Sequence, residues 1–393
     1  MELLPQYITK RCKKVFIRGY YGYRNIGDEA MLYVLLSYLK NIGLEPIVAS
    51  KDVKYTKKIH KTNSVYSSFT NIPKILRYIL SSDILIEGPG NKHGFMSIID
   101  LGLPLIAKLF RKKIVYLGVG ISPYKWKEIP TVLFYKKAKR YGYVKRFIIR
   151  FWFNFLTDYI SVRDELTKNF LIENGVSKNK INMICDLGFH LPTLSNMREV
   201  KKIFFKLSSP TVNINELNEP KIIVGVSVRK FRSEKINNEV KNFLEKLIQK
   251  FRATLKCKII FLFFPFSFGK FDNDLLYSQE LISHFKLRFQ DINFHILKTD
   301  NPIYIKSVFK ICNLIIGIRY HSHIFAESLQ IPYLAIIYDP KSFQVIKNSI
   351  YCFGFSEINL INKRVTQLTN KALKIFIDNY DIEKYGKPQQ KYL

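Results

Sequence analysis

Residues 317–326, with the sequence Gly-Ile-Arg-Tyr-His-Ser-His-Ile-Phe-Ala, contain one arginine and two histidines within five positions. They follow an apolar run at 314–316 and lead into a helical pattern at 324–329, which predicts a strand, a tight turn and a helix start. The first N–H groups of a helix that begins at the carboxyl end of a strand can hold an anion. Arg319 adds a planar donor fork that suits carboxylate or phosphate, and a histidine can move a proton near neutral pH. This stretch is therefore our candidate site for proton transfer on an anionic ligand.

The two histidines of this stretch are expected to have different roles. His321 and His323 are two positions apart, so their side chains diverge at a helix start. We expect His321 to face the ligand as the catalytic group and His323 to pack in the core. The alternative is that both are buried, hydrogen-bonded residues and that Arg319 pairs with a carboxylate. Three polar groups at one strand end favour the functional interpretation.

A second arginine repeats this arrangement. Arg163 comes directly after the strand pattern at 159–162 and before a predicted helix start. Ligands of α/β domains bind at the carboxyl ends of the strands, so Arg163 is a second candidate for anion binding. The alternative is an internal salt bridge to Asp164.

A loop rich in glycine and tyrosine, residues 19–27, lies between a short strand pattern and a helical pattern. It lacks the spacing Gly-x-Gly-x-x-Gly, and Asp28 and Glu29 in the first helical turn would repel a phosphate. We expect no dinucleotide here, and we weigh an uncharged, hydroxyl-rich ligand equally against simple capping and a tight turn. Glycines at 88 and 90 would let a ligand or a neighbouring loop approach the backbone closely, although a plain tight turn is the favoured explanation of this turn alone. The candidate binding residues on this side are Tyr23, Asn25, Asp28 and Asn91.

Strand patterns alternate with helix-length patterns along the chain, which predicts an α/β protein built from βα units. With 393 residues the chain is long enough for two domains, each with its own core. We expect one doubly wound domain at residues 1–192 and a second at 221–393. Residues 193–220 contain prolines, serines and asparagines and are the expected linker. The last helix is a candidate to pack back on the first domain.

Cysteine usage and hydropathy indicate the compartment. The five cysteines are scattered, odd in number and without metal-binding spacing, which favours reduced thiols over disulfides or structural zinc. The first residues lack the apolar core of a signal peptide, and no run of about 18 uncharged apolar residues predicts a spanning helix. We therefore expect a cytoplasmic protein without a metal site.

The net charge of +32 favours anionic partners, although a lysine-rich composition alone is an equally weighted explanation. Cations concentrate in a basic aromatic segment at residues 124–155. Between Tyr124 and Arg150, nine Lys or Arg stand against one acid, Glu128. Such a segment can dock on an anionic bilayer, which would make the protein peripheral at the cytoplasmic membrane face, or neutralise and stack on nucleic acid. The alternative is a long surface helix with one apolar face.

Five blocks of the sequence occur in an order typical of one family. They are Gly-Tyr-Tyr-Gly at 19–22 with Asn-Ile-Gly-Asp-Glu-Ala at 25–30, Gly-Val-Gly-Ile-Ser-Pro at 118–123, Ser-Val-Arg-Asp-Glu at 161–165, Gly-Ile-Arg-Tyr-His at 317–321 and Tyr-Asp-Pro-Lys at 338–341. As a set they resemble the polysaccharide pyruvyltransferase family over most of the chain.

The resemblance implies two Rossmann-like domains facing a cleft, similar to the GT-B arrangement, with the acceptor on the first domain and the donor on the second. It implies transfer of the enolpyruvyl unit of phosphoenolpyruvate onto a sugar of a cell-surface polysaccharide or lipid-linked glycan precursor, as a ketal with release of phosphate. The family's donor-binding and catalytic positions map onto Arg163, Arg319, His321 and Lys341. Phosphoenolpyruvate is a co-substrate, and no cofactor is expected.

The residue chemistry agrees with this donor. Phosphoenolpyruvate carries a carboxylate and a phosphate, so it needs several cations without a competing acid, and a histidine can perform either proton transfer. A GT-B glycosyltransferase with a nucleotide-sugar donor ranks second, because it would need an acidic residue in the second domain. A basic nucleic-acid-binding protein ranks third, since it depends on charge alone, and we expect no nucleic-acid partner.

Overall fold

The computed structural model of the chain describes residues 2–93, 98–122, 142–210, 221–255, 257–269, 272–347 and 349–379. These residues group into two compact units, one up to Leu191 and the other from Pro192 onward. Each unit has its own sheet and its own buried core. The prediction of two doubly wound α/β domains is confirmed.

The first unit is built on eight strands that all pair in parallel. The strands are β1 (Lys14–Arg18), β2 (Glu45–Ser50), β3 (Asn63–Tyr66), β4 (Ile84–Glu87), β5 (Gly90–His93), β6 (Lys113–Ser122), β7 (Tyr159–Val162) and β8 (Ile181–Met183). The helices are α1 (Gln6–Thr9), α2 (Ile26–Asn41), α3 (Val53–His60), α4 (Ile72–Leu80), α5 (Ile98–Leu109), α6 (Tyr143–Phe151) and α7 (Glu165–Glu173).

The strand order of this sheet is β3-β2-β1-β4-β6-β7-β8, with β5 paired to β6. The chain therefore moves outward from β1 in both directions, and the order reverses between β1 and β4. At this point Arg18 and Glu87, the last residues of the two strands, are register partners, and Arg18 Nη1 donates to Glu87 Oε1 at 2.7 Å. Apolar strands such as β4 have all four residues buried, as parallel strands covered on both faces require.

In the part of the second unit that the structure describes, the sheet has seven strands, and the short β9 is the one that pairs antiparallel. The strands are β9 (Ser208–Ser209), β10 (Lys221–Ser227), β11 (Lys258–Phe263), β12 (Asn293–Leu297), β13 (Leu314–Gly317), β14 (Tyr333–Ile337) and β15 (Cys352–Glu357). The helices are α8 (Met197–Leu207), α9 (Glu234–Thr254), α10 (Asp274–Arg288), α11 (Pro302–Phe309), α12 (Tyr320–Ser328), α13 (Pro340–Ile346) and α14 (Ile361–Asn379).

The strand order of the second sheet is β15-β14-β13-β10-β11-β12-β9. The order reverses between β10 and β13, whose last residues, Ser227 and Gly317, are register partners. Beneath this edge the core is rich in aromatic rings, and Phe266 and Phe309 both pack against Phe325 of α12. A ligand crevice is expected outside the carboxyl ends of the strands at such a reversal.

Helices at both ends of the second unit pack against the unit itself. Within the expected linker, residues 193–220, α8 is a helix that buries Val200 and Phe204, four positions apart, against the unit. At the other end, the described part of the last helix, α14, packs against α9 and β15 of its own unit.

Of the basic aromatic segment at 124–155, residues 124–141 lie outside the described residues. The remainder forms α6 and most of a π-helical turn at Trp152–Leu156. None of the helices in the described ranges is both long and apolar enough to cross a bilayer.

Candidate active site

Three polar segments leave the carboxyl edge of the second sheet close to its reversal point. Arg229 follows β10, Arg319 follows β13, and Asp339 and Lys341 follow β14. The helix after β13 begins at Tyr320, four residues before the helical pattern in the sequence, and Arg319 is its N-cap residue. His321 therefore lies in the first turn of α12. No side chain caps this helix, whereas Asp339 accepts the backbone N–H of Lys341 at the start of α13.

Arg319 is buried and bound to two carboxylates. Its Nε donates to Asp274 Oδ2 at 2.9 Å, and its Nη2 donates to Asp274 Oδ1 at 2.5 Å and to Asp272 Oδ1 at 2.6 Å. Burial opposes the charge on Arg319, but the two carboxylates outweigh it and raise the pKa well above its usual value. Burial also acts to raise the pKa of Asp272, but the charge and hydrogen bond of Arg319 lower it overall. The third nitrogen, Nη1, donates to no residue that the structure describes.

The residues at this edge, which include Arg319, His321 and Lys341, form what we call the corner. Arg229 is a further cation of the corner, which the sequence analysis did not assign to the site. Its guanidinium lies 5.0 Å from the ring centroid of Tyr338 and 5.8 Å from that of Phe231, and its Nε is 3.8 Å from Asp272 Oδ1. The signal was present in the sequence, because Arg229 follows an apolar strand as Arg319 does. Asp272 and Asp274 were also missed, since only the fold brings the segment after β11 to the end of β13.

His321 and Lys341 both lie close to the ring of Tyr320. The rings of Tyr320 and His321 are edge to face with centroids 5.0 Å apart, and Lys341 Nζ lies 5.4 Å from the Tyr320 ring centroid. Lys341 Nζ also forms an ion pair with Asp339 Oδ2 at 3.2 Å. The structure thus brings Arg319, His321 and Lys341 into one corner.

His323 points the other way and is completely buried. Its Nε2 donates to the carbonyl oxygen of Gly317 at 2.8 Å, and its ring stacks on Tyr333 with centroids 5.8 Å apart. Burial lowers the pKa of His323 to about 4, so the ring is neutral at physiological pH. A Cβ on Gly317 would lie 2.7 Å from the His323 ring, which explains why glycine ends β13.

The corner is not the uncompensated cationic site that the sequence analysis expects. Three cations, Arg229, Arg319 and Lys341, lie among three carboxylates: Asp272, Asp274 and Asp339. The expectation of cations without a competing acid is wrong, because a buried guanidinium needs a carboxylate partner to offset its desolvation. The second unit therefore does contain acidic residues at this position, as a nucleotide-sugar donor would need.

Arg163 belongs to the first unit, where it forms a buried ion pair. Its Nη1 donates to Asp186 Oδ2 at 2.8 Å and contacts Met31 Sδ at 3.4 Å, and both charged side chains are 2% exposed. The structure pairs Arg163 with Asp186, and the carboxylate of Asp164 caps α7 by accepting the Thr167 N–H at 2.7 Å.

The glycine and tyrosine loop after β1 is held by a buried carboxylate. Glu29 Oε1 accepts the backbone N–H of Gly22 at 2.8 Å, and Glu29 Oε2 is 2.7 Å from His60 Nε2. Asn25 caps α2, because its Oδ1 accepts from Gly27 N at 3.2 Å and Asp28 N at 3.4 Å. Of the two interpretations of Asn25, capping is the one with a contact in the structure.

The other candidates of this loop lie nearer the surface. The exposed ring of Tyr23 stacks on Tyr20, with centroids 3.9 Å apart and planes 4° apart. Asp28 is half-buried, and its Oδ1 would be 3.0 Å from a Cβ on Gly90, whose φ of +133° favours glycine. Asn91 lies in β5, and its side chain is outside the described residues. In the described ranges, no group of three His, Cys, Asp or Glu side chains could hold a metal ion.

Comparison with solved structures shows the fold class. Similar structures include HepE from Anabaena in complex with UDP-glucose (12% identity, 92% of both chains covered, TM-score 0.50), a glycosyltransferase from Rickettsia africae (13% identity, 96% of this chain and 91% of that chain, TM-score 0.56) and the UDP-GlcNAc 2-epimerase from Methanocaldococcus jannaschii (14% identity, 97% and 94%, TM-score 0.56). At these identities the likeness concerns the fold alone, which is the two-domain, Rossmann-like GT-B type.

Comparison at the sequence level identifies the family. No curated protein matches the chain. The model of one family, described as polysaccharide pyruvyl transferase, matches residues 25–340. This range includes Asn25, Asp28, Arg163, Arg319 and His321, and it confirms the resemblance seen in the sequence blocks. Because the match spans most of the 393 residues, the chain belongs to the polysaccharide pyruvyl transferase family.

Proposed function

We propose that the protein transfers the enolpyruvyl unit of phosphoenolpyruvate onto a sugar of a cell-surface polysaccharide or of its lipid-linked precursor, forming a pyruvate ketal. The family supports pyruvyl transfer to polysaccharide in general. The observation that carries the more specific proposal is the corner at the start of α12, where His321, Lys341 and two arginines gather around Tyr320 and Tyr338. These are the residue types that this donor needs.

The proposed reaction forms two C–O bonds, and the protons lost by two sugar hydroxyls balance those gained by the methylene carbon and by phosphate. The methylene carbon of the donor takes a proton, which leaves an oxocarbenium-like centre at C2. One sugar hydroxyl adds to C2 and loses its proton. The C2–O bond to phosphate then breaks and phosphate leaves with a proton. A second hydroxyl of the same sugar adds to C2, loses its proton and closes the ketal. His321 is the proposed proton carrier, because histidine can both give and take a proton near neutral pH.

Donor binding is proposed to use Nη1 of Arg319 together with Arg229 and Lys341. Asp272 and Asp274 hold Arg319 through Nε and Nη2, which leaves Nη1 for the donor. A guanidinium fixed in this way is oriented before the ligand arrives, so less conformational entropy is lost on binding. Arg229 and Lys341 supply the other two cations.

The start of α12 is the proposed second anchor for the donor. No side chain caps this helix, and the helix dipole favours negative charge at its start. A carboxylate or a phosphate oxygen seated at this turn would lie beside His321. The donor's two anionic groups would then be shared between the helix start and the three cations.

The residues of the first unit remain separate proposals. Arg163 is proposed as a donor-binding residue on the family's pattern, although its guanidinium is bound to Asp186. Tyr23 is the best supported acceptor residue, because its exposed ring, backed by Tyr20, offers a flat face for a pyranose. Asn25, Asp28 and Asn91 complete the proposed acceptor set. No cofactor or metal ion is included in the proposal.

A nucleotide-sugar donor is the second candidate, and one observation favours it. Asp272 lies at the carboxyl edge of the second sheet with 35% of its side chain exposed, where a carboxylate could accept ribose hydroxyls. HepE from Anabaena, which shares the fold, was crystallised with UDP-glucose. In this candidate the first product would be a nucleoside diphosphate.

The two candidates are separated by their products. The protein is incubated with a hexopyranoside acceptor series and either phosphoenolpyruvate or UDP-glucose, and released phosphate, released UDP and product mass are measured. We expect phosphate release that depends on the acceptor and a product heavier by one ketal-linked pyruvate. Glycoside formation with UDP release, and none with phosphoenolpyruvate, would support the nucleotide-sugar candidate instead.

A further inference from the structure

A row of phenylalanines is exposed along α6 and the π-helical turn that continues it. Phe147, Phe151 and Phe155 are four positions apart and are 61%, 46% and 68% exposed. Their rings follow one another, with centroids 6.3 Å apart for the first pair and 5.7 Å for the second. Tyr143 and Val144, 86% and 70% exposed, extend the row at its amino end. An exposed row of this kind needs a partner, because contiguous apolar surface is rare on proteins that stay in water.

The opposite face of the same segment is fixed in the core of the first unit. Ile149, Trp152 and Phe153 are buried in one cluster, and Trp152 Nε1 donates to Tyr116 Oη at 2.9 Å. The buried face and the exposed row of this segment are both apolar. Among the described residues, only the buried face packs against the core cluster. The exposed row is presented by a firmly packed element.

A second helix on the same core cluster adds apolar surface. Leu101 of α5 packs against the cluster that contains Ile149 and Phe153. At the end of α5, Lys108 Nζ donates to both carboxylate oxygens of Asp158 at 2.8 Å. Asp158 is three positions after Phe155, so this ion pair links α5 to the end of the phenylalanine row. Beside this link the exposed apolar residues of α5 and its end are Leu105, Leu109 and Phe110, at 42%, 74% and 59%.

The helical segment that carries the phenylalanine row has charge of one sign. The stretch 142–157 contains three cations, Lys145, Arg146 and Arg150, and no acid. A second copy of the chain would place like charges face to face across the phenylalanines, so self-association is disfavoured. An anionic bilayer offers negative headgroups to the cations and an acyl boundary to the aromatic rings.

We propose that the surface formed by Phe147, Phe151, Phe155 and the exposed end of α5 docks the first unit on an anionic lipid bilayer. The phenylalanines enter the region between headgroups and acyl chains, and Lys145 and Arg150 remain at the headgroup level. This places the protein at a membrane surface by peripheral attachment. The proposal does not depend on which donor the second unit binds.

The experiment is co-sedimentation of the full chain with vesicles of phosphatidylcholine alone and with added phosphatidylglycerol, at low and high salt. Two variants test the surface: Phe147→Ser/Phe151→Ser/Phe155→Ser and Lys145→Gln/Arg146→Gln/Arg150→Gln. Two matched controls change equally exposed residues of the second unit: Leu276→Ser/Leu287→Ser/Ile350→Ser and Lys201→Gln/Lys202→Gln/Lys206→Gln. Thermal unfolding confirms that each variant is folded.

We expect the protein to sediment with anionic vesicles, to be released by salt, and to bind at least about tenfold more weakly in both test variants, with the controls unchanged. Equal sedimentation with neutral and anionic vesicles would overturn the proposal, as would wild-type binding by a folded phenylalanine variant. A concentration-dependent dimer that the phenylalanine variant abolishes, without vesicle binding, would assign the surface to a second copy instead. Pyruvyl transfer to a water-soluble acceptor should be unaffected in both test variants, which separates this proposal from the proposed reaction.

Discussion

Arg319 donates to both carboxylate oxygens of Asp274, from Nε at 2.9 Å and from Nη2 at 2.5 Å. Asp274 begins α10 after β11, and Arg319 precedes α12 after β13, so the pair joins the segments that follow the two strands flanking β10. Both side chains are largely or completely removed from water, with exposures of 8% and 0%. The pair therefore fixes the geometry of the corner before any ligand binds.

The first prediction concerns the stability of this pair. Arg319→Met leaves a carboxylate buried without its partner, so the free energy of unfolding should fall by about 3–5 kcal/mol in urea titrations. The matched control is Arg252→Met, which removes a surface pair with Asp291 at 2.7 Å where both side chains are about half exposed. That change should cost less than about 1 kcal/mol. Equal, small effects of the two substitutions would show that the buried pair is not a structural element.

The second prediction separates ligand binding from stability. Arg229 Nε lies 3.8 Å from Asp272 Oδ1 and the guanidinium lies over the rings of Phe231 and Tyr338, so Arg229→Met, which keeps an apolar contact with these rings, should cost less stability than Arg319→Met. It should weaken phosphoenolpyruvate binding about 10- to 100-fold, because a charged hydrogen bond contributes about 1.5–3 kcal/mol. Titration calorimetry measures the affinity, and the exposed neighbour Arg232→Met is the control. An affinity that is unchanged in Arg229→Met would remove this residue from the donor site.

The third prediction tests the proton carrier. His321→Ala should reduce turnover by about 10²- to 10⁴-fold and leave phosphoenolpyruvate affinity within about tenfold, because it removes proton transfer and little ground-state attraction. His284→Ala, on α10, is the control histidine. Phosphate release and calorimetry give the two numbers. Wild-type turnover in His321→Ala would make this residue a packing residue.

The fourth prediction is a pH dependence caused by His323. Its folded pKa of about 4 lies below the ordinary value of 6.5, so the unfolded chain binds more protons between these values. Stability is therefore complete above about pH 6.5 and is lost as the pH falls towards 4. From about pH 7.5 to about pH 5, the wild type should lose about 2 kcal/mol more than His323→Gln. Parallel pH profiles for the two proteins would contradict the neutral, buried ring.

The strands and helices could be predicted from the sequence because the spacing of apolar residues indicates which positions are buried. The apolar runs within β10 and β11 and the amphipathic pattern of α4 gave strands and a helix at those positions. The helix α3 was missed, since it is short and rich in lysine, and its start depends on Asp52, which accepts the Tyr55 N–H.

The site was predicted less completely because its charge balance depends on contacts between distant segments. Arg319 and His321 stand out by residue type at a strand end. The partners Asp272 and Asp274 are more than forty positions away, and only the order of the strands brings them together. The same holds for Arg163 and Asp186, which belong to different strand ends of the first unit. Counting the cations near a site in the sequence therefore overestimates the net charge of the site, because their carboxylate partners lie elsewhere in the sequence.

The measurement that tests the central claim most directly is thermal unfolding with phosphoenolpyruvate or UDP-glucose as ligand, for the wild type and for Arg229→Met. A donor at 100 times its dissociation constant adds about 2.7 kcal/mol to the free energy of unfolding. We predict that phosphoenolpyruvate raises the melting temperature of the wild type, that UDP-glucose does not, and that Arg229→Met loses most of the shift. A shift with UDP-glucose and none with phosphoenolpyruvate would contradict the proposed donor.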